Sequence, residues 1–128
     1  LVLSGANNPV VTLTPVLVPM SRGILAVSTL RIAQGVSDQD LRDHLAQVYA
    51  EEDFIDLSPA GTLPATGSVL GSNTVAIGLA TDHAAGRVTV VSALDNLVKG
   101  TAGAAVQSLN IARGLPESTG LSADGVAP

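Results

Sequence analysis

The alternation of apolar and polar positions divides the chain into about seven pieces. Val10 to Thr14, VVTLT, interleaves apolar and hydroxyl residues and predicts a half-buried strand. Pro15 and Pro19 cannot donate to a ladder, so a loop follows. Gly23 to Ala33, GILAVSTLRIA, is a long β-leaning run with Ile24, Ala26, Ser28, Leu30 and Ile32 on one face. Leu25, Val27, Thr29 and Arg31 occupy the other, which predicts a strand covered on both sides for part of its length. Ser37 then stands as an N-cap, with Asp38 and Asp40 in the first turn where the helix dipole favours anions. The predicted helix runs from Asp38 to about Ala50, with Leu41, Leu45, Val48 and Tyr49 forming one apolar stripe to lay on a sheet.

Acidic residues dominate Glu51 to Asp56, a solvated edge in which Phe54, Ile55 and Leu57 form a short strand. Ser58 to Gly67, SPAGTLPATG, reads as an irregular loop. Asn73 to Ala80 and Arg87 to Leu94 are strands joined by about five or six residues, the spacing of an antiparallel hairpin. The last element is a helix from Asp95 to Arg113, stopped by Gly114 with Pro116 beyond. The order β-β-α-β-β-β-α predicts an α+β fold: a mixed, largely antiparallel sheet with helices on one face.

Composition narrows the chemistry. The chain has 128 residues, one domain's worth, with 46% apolar but only 2% aromatic side chains, so the core rests on Val, Leu, Ile and Ala. Six basic residues against eleven acidic ones give a net charge of −5, so neither nucleic acid nor an anionic membrane is an expected partner. Cys is absent, which removes disulfides, thiolate metal sites and a cysteine nucleophile from this chain. The first residue is Leu1, and no basic segment leads into an apolar run, so a fragment or processed product without a signal peptide is expected. No apolar stretch reaches the ~20 residues of a bilayer span. A soluble, cytoplasmic domain is the expectation.

Three segments depart from ordinary propensity. Gly100 and Gly103 sit in the small-residue block of the final helix, where each costs up to ~1 kcal/mol relative to Ala. Either tight packing of a capped helix or close approach of a flat ligand offsets that cost. Asp95, Asn96 and Lys99 supply an acceptor, an amide and a cation at the start of that helix. The loop Pro15 to Gly23 is apolar and carries one cation, Arg22, suited either to a buried ion pair or to a carboxylate or phosphate in a pocket or subunit contact. Gly71-Ser72-Asn73 is a tight turn whose hydroxyl and amide either cap the turn or face a partner.

Other chemistry lacks an anchor. His44 and His83 are expected to be structural or solvated, and two His without Cys make a transition-metal site improbable. Gly-x-Ser-x-Gly, Ser-x-x-Lys and Gly-x-Gly-x-x-Gly are all missing. No complete catalytic constellation lies on the chain.

TPVLVPMSRGIL at Thr14 to Leu25, GSN at Gly71 to Asn73, ALDNLVKGTAGAAVQSLN at Ala93 to Asn110 and GLPESTGL at Gly114 to Leu121 together resemble one family. It is N-acetyl-gamma-glutamyl-phosphate reductase, an NADPH-dependent enzyme of arginine biosynthesis related to aspartate-semialdehyde dehydrogenase. Val16 stands where many members carry His. The resemblance implies the C-terminal part of such an enzyme. Residues 1–94 would be part of the substrate and dimerisation domain, and residues 95–128 a helix and tail returning to a nucleotide-binding domain. The glycine-rich phosphate loop, the thioester-forming Cys and the acid-base His of the family have no counterpart here. By position, Asn96, Lys99 and Gly100 would lie near NADP, and Arg22, Ser72 and Asn73 at a substrate or subunit contact. The implied partners are the N-terminal part of the enzyme and further copies, in a dimer or tetramer. The implied reaction reduces N-acetyl-glutamyl 5-phosphate to the semialdehyde and releases phosphate. The alternative is a non-catalytic oligomerisation module that self-associates through its sheet and the Pro15-to-Gly23 loop.

Overall fold

The computed structural model describes residues 10–126, so the ends of the two expected segments, 1–9 and 127–128, lie outside the described residues. Four strands form one sheet: β1 (Ile24–Arg31), β2 (Ile55–Leu57), β3 (Val75–Asp82) and β4 (Arg87–Leu94), in the order β1-β4-β3-β2. β4 pairs antiparallel with both β1 and β3, and β2 runs parallel to β3. The sheet is therefore mixed and largely antiparallel, and with helices α1 (Asp38–Val48) and α2 (Gly103–Ala112) the fold is α+β, as the element order implies.

Helix α1 begins where its chemistry dictates. The Ser37 hydroxyl accepts from Asp40 N–H, and the Asp40 carboxylate accepts from Ser37 N–H, so the two ends of a capping box satisfy each other. The helix lies over the face of Ile77 and Leu79, where Leu45 meets them beside Leu57. Arg42 crosses the edge to donate to Ser58 O at 3.1 Å and Leu79 O at 3.5 Å. Asp38 Oδ1 contacts His83 Nε2 at 2.6 Å and accepts from Thr81 Oγ1 at 2.7 Å, which ties the start of α1 to the β3–β4 turn. The opposite face carries Ala76, Gly78, Val91 and Ala93. Val69, from a single 3-10 turn at Thr66–Val69, packs on Ala76 and Ala93 there.

Several expectations need correction. Val10 to Thr14 forms no strand, because a strand needs a ladder partner and this segment lies exposed without one among the described residues. β1 is not covered on both sides: it is an edge strand, all eight of its residues are exposed among the described residues, and Val27 is 62% exposed. α1 ends at Val48, with Tyr49 as its cap, and Val48 points outward while Leu41, Leu45 and Tyr49 are half-buried. The hairpin turn is shorter than expected, because Thr81 and Asp82 extend β3 to pair with Val88 and Arg87. The final helix does not start at Asp95. A wide turn at Val98–Ala102, with π-type hydrogen bonds, precedes α2.

Gly78 is the one strand glycine whose missing side chain the packing needs. A Cβ there would fall 2.8 Å from Pro64 Cδ and 2.9 Å from Thr62 O, where the loop after β2 crosses the sheet. Gly78→Ala is expected to destabilise the fold by about 1–3 kcal/mol, the usual cost of overpacking, as measured by chemical denaturation.

Candidate functional site

The end of β4 delivers Asp95 into the interior, where its side chain is fully buried. A carboxylate in that position must find donors for both oxygens. Oδ1 accepts from Leu97 N–H at 2.7 Å and Val98 N–H at 2.9 Å. Oδ2 accepts from Gly71 N–H at 2.6 Å and pairs with Arg22 Nη2 at 2.7 Å. Burial alone would push this carboxyl up. The donors from Gly71, Arg22, Val98 and Leu97 outweigh that effect and hold it well below the usual carboxylate range. One anion thus joins the loop before β1, the turn before β3 and the entry to α2. Arg22 is accordingly found in the buried-ion-pair arrangement.

The next residues follow from that anchor. Asp95 O accepts from Gly100 N–H at 2.8 Å, and Leu97 O accepts from Ala102 N–H at 3.0 Å, both across five residues. Asn96 Oδ1 accepts from Gly23 N–H at 2.8 Å, so its amide is tied to the residue after Arg22. Gly100 packs this wide turn against Leu94 and Ile24, on the same sheet face as α1.

A second polar cluster lies behind the turn. Lys99 Nζ donates to Gln107 Oε1 at 2.8 Å and stands 5.4 Å above the Phe54 ring. Burial pulls the Lys99 ammonium down, against Coulombic support from Glu117 and Glu52. Asn73 Nδ2 also donates to Gln107 Oε1, at 2.8 Å, and Gln107 Nε2 donates to Glu117. Asn73 Oδ1 is buried without a hydrogen-bond partner among the described residues. A Cβ on Gly103 would collide with this oxygen and come within 2.8 Å of Val98 Cγ1, so the glycine exists for close packing.

The structure therefore brings Arg22, Asn96 and Gly100 to one anchor, and Asn73 and Lys99 to the adjacent cluster. Ser72 is fully buried and donates to Val69 O at 2.8 Å. The chain's close folds back over the same turn: Asn73 N–H donates to Ser122 O and Thr74 Oγ1 to Ala123 O. Sequence reasoning passed over Asp95 as an organiser and missed Phe54, Gln107 and Glu117. The signal for Asp95 was its place three residues before Val98, the spacing of a side-chain cap. Gln107 and Glu117 gave no local signal, because only the packing of α2 and the following turn brings them to Lys99.

Comparison with known proteins places these residues in a wider frame. A family model described as the semialdehyde dehydrogenase dimerisation domain matches residues 2–96. The chain is 57% identical to an N-acetyl-gamma-glutamyl-phosphate reductase of Leifsonia xyli subsp. xyli, over 98% of its own length and 36% of that protein's. It is 56% identical to the enzyme of that name from Micrococcus luteus, with 96% and 36% covered. With the Streptomyces clavuligerus protein of the same name it shares 52% identity, over 92% and 35%. The chain thus spans about a third of the length of the curated relatives it matches. Among the described residues, no helix is long and apolar enough to cross a membrane.

Because the folded Asp95 carboxyl is held below its ordinary pKa of ~3.9, its stabilisation is full above that value and is lost as pH falls through the folded one. Asp38 and Asp40 shift the same way but lie at the surface, where solvent screens them. Unfolding measured between neutral pH and the acid limb should show Asp95→Asn removing more of the acid dependence than Asp38→Asn. At neutral pH the same Asp95→Asn change should cost about 3 kcal/mol.

Proposed function

The chain belongs to the semialdehyde dehydrogenase dimerisation-domain family, and from that premise we propose that it is the C-terminal part of an NADPH-dependent N-acetyl-gamma-glutamyl-phosphate reductase. In this reading a cytoplasmic enzyme reduces N-acetyl-glutamyl 5-phosphate to the 5-semialdehyde and releases phosphate. The observation that supports it most is the Asp95-to-Gly103 turn. A buried anion, a tethered amide and two glycines give a rigid backbone surface at the end of the sheet. Residues 1–94 serve as part of the substrate and dimerisation unit, and residues 95–128 return toward a nucleotide-binding part supplied by the rest of the enzyme. Leu97, Val106 and Leu109 are exposed, giving that segment an apolar surface on which another domain can pack.

Among these residues, the fit to a nicotinamide cofactor is best at Asn96. Its amide oxygen is taken by Gly23, and its amide nitrogen has no partner among the described residues, so the group left to bind is a donor. Gly100 would let a flat ring approach, and Lys99, engaged with Gln107, would shape the turn from behind. When bound, NADPH supplies the hydride. This chain's part is to hold the amide and the backbone in place.

A second reading, a self-associating module without catalysis, draws on the sheet and on the apolar loop Pro15 to Gly23. Val16 is 73% exposed, and β1 has an open edge among the described residues.

Co-expression of this chain with the preceding part of a relative distinguishes the two. The reductase reading predicts a stable complex that oxidises NADPH only when the acyl phosphate is present. Self-association of this chain alone, with no complex and no NADPH oxidation in the mixture, would favour the module.

A further inference from the structure

A side chain that only caps a helix needs one oxygen, and Asp95 uses Oδ1 for that, on Leu97 and Val98. Its second oxygen is committed elsewhere, to Arg22 and Gly71. Between those commitments stands Asn96. Its backbone is held from both sides, since Asp95 O closes the wide turn on Gly100 and Asp95 Oδ1 fixes the two residues that follow Asn96. Its amide oxygen is held by Gly23, whose neighbour Arg22 is itself fixed on Asp95. Thr101 Oγ1 adds a further tether, donating to Asn96 O at 2.8 Å, but the others lead back to Asp95, and the Asn96 amide nitrogen is left without a partner among the described residues.

We propose that Asp95 is a positioning residue whose ion pair with Arg22 and amide contacts orient Asn96 Nδ2 as a hydrogen-bond donor to an acceptor oxygen on the molecule bound at this turn. This rests on the reading that the turn faces the reaction centre of the complete enzyme. Asp95 itself touches no ligand; it acts through Asn96. The wide turn supports the assignment, because π-type distortions of helices recur at functional sites.

A double-mutant cycle in the complete reductase tests it, with kcat and KM measured well below the melting midpoint of each variant. Asp95→Asn is expected to lower kcat about 10- to 100-fold while the variant stays folded and assembled. Asn96→Ala should cost a similar factor. The double variant should lose no more than the worse of the two singles, because both remove the same oriented donor. A carboxylate with only a structural role would lower the melting midpoint and leave kcat unchanged, or its loss would multiply with that of Asn96→Ala. Either result overturns the proposal. Should Asp95→Asn fail to fold, Arg22→Gln removes one donor alone, and its smaller loss must again be non-additive with Asn96→Ala. An active enzyme indifferent to Asn96→Ala would overturn the positioning role and leave the reductase reading standing. A complete wild-type protein without NADPH-dependent reduction would remove the reading on which both depend.

Discussion

The buried carboxylate of Asp95 is the constraint around which the rest is arranged. An ionised side chain with no solvent contact survives in a fold only when each lone pair finds a donor, and here four donors come from three separate stretches of chain. The loop carrying Arg22, the Gly71 turn and the entry to α2 cannot shift independently without leaving charge uncompensated. The anchor therefore fixes where β1 starts, how β3 is entered and which way the final helix leaves the sheet. At the entry to the helix the carboxylate takes the amides of Leu97 and Val98, and the first backbone rings close across five residues.

The glycines of this region are consequences of that geometry. Gly103 has no Cβ because Asn73 and Val98 occupy the space, and Asn73 is there because the turn at Gly71 is pinned to Asp95. Lys99 follows the same logic. The turn swings its ammonium back to Gln107 and over Phe54, into a half-buried polar network. Small residues, a buried anion and a folded-back lysine together build a stiff platform at one end of the sheet.

The elements with local chemistry were legible in the chain. Ser37 and Asp40 announce a capping box, the β3–β4 hairpin announces its antiparallel pairing, and the apolar run of β1 announces a strand. Where the reading failed, the missing information was non-local. Val10 to Thr14 alternates like a strand but has no ladder partner among the described residues, and β1, with apolar residues on both faces, stays exposed along its length. Those faces suit a family described by its dimerisation. Of the site, Asn96, Lys99 and Gly100 could be named from their block, and Arg22 from its apolar loop. The link between them could not, since Asp95 reaches Gly71 and Arg22 across long stretches of sequence. Gln107 and Glu117 carry no sign of a partner until α2 is packed.

The account stands on the charge state of one side chain, and a carbon-detected NMR titration of the Asp95 carboxyl measures it directly. The predicted result is a carboxylate that stays ionised as pH is lowered through ~3.9, the ordinary aspartate value, titrating only below it. A midpoint at or above that value would contradict the account, because it would mean that the four donors do not hold the anion and that the turn beyond it is organised by something else.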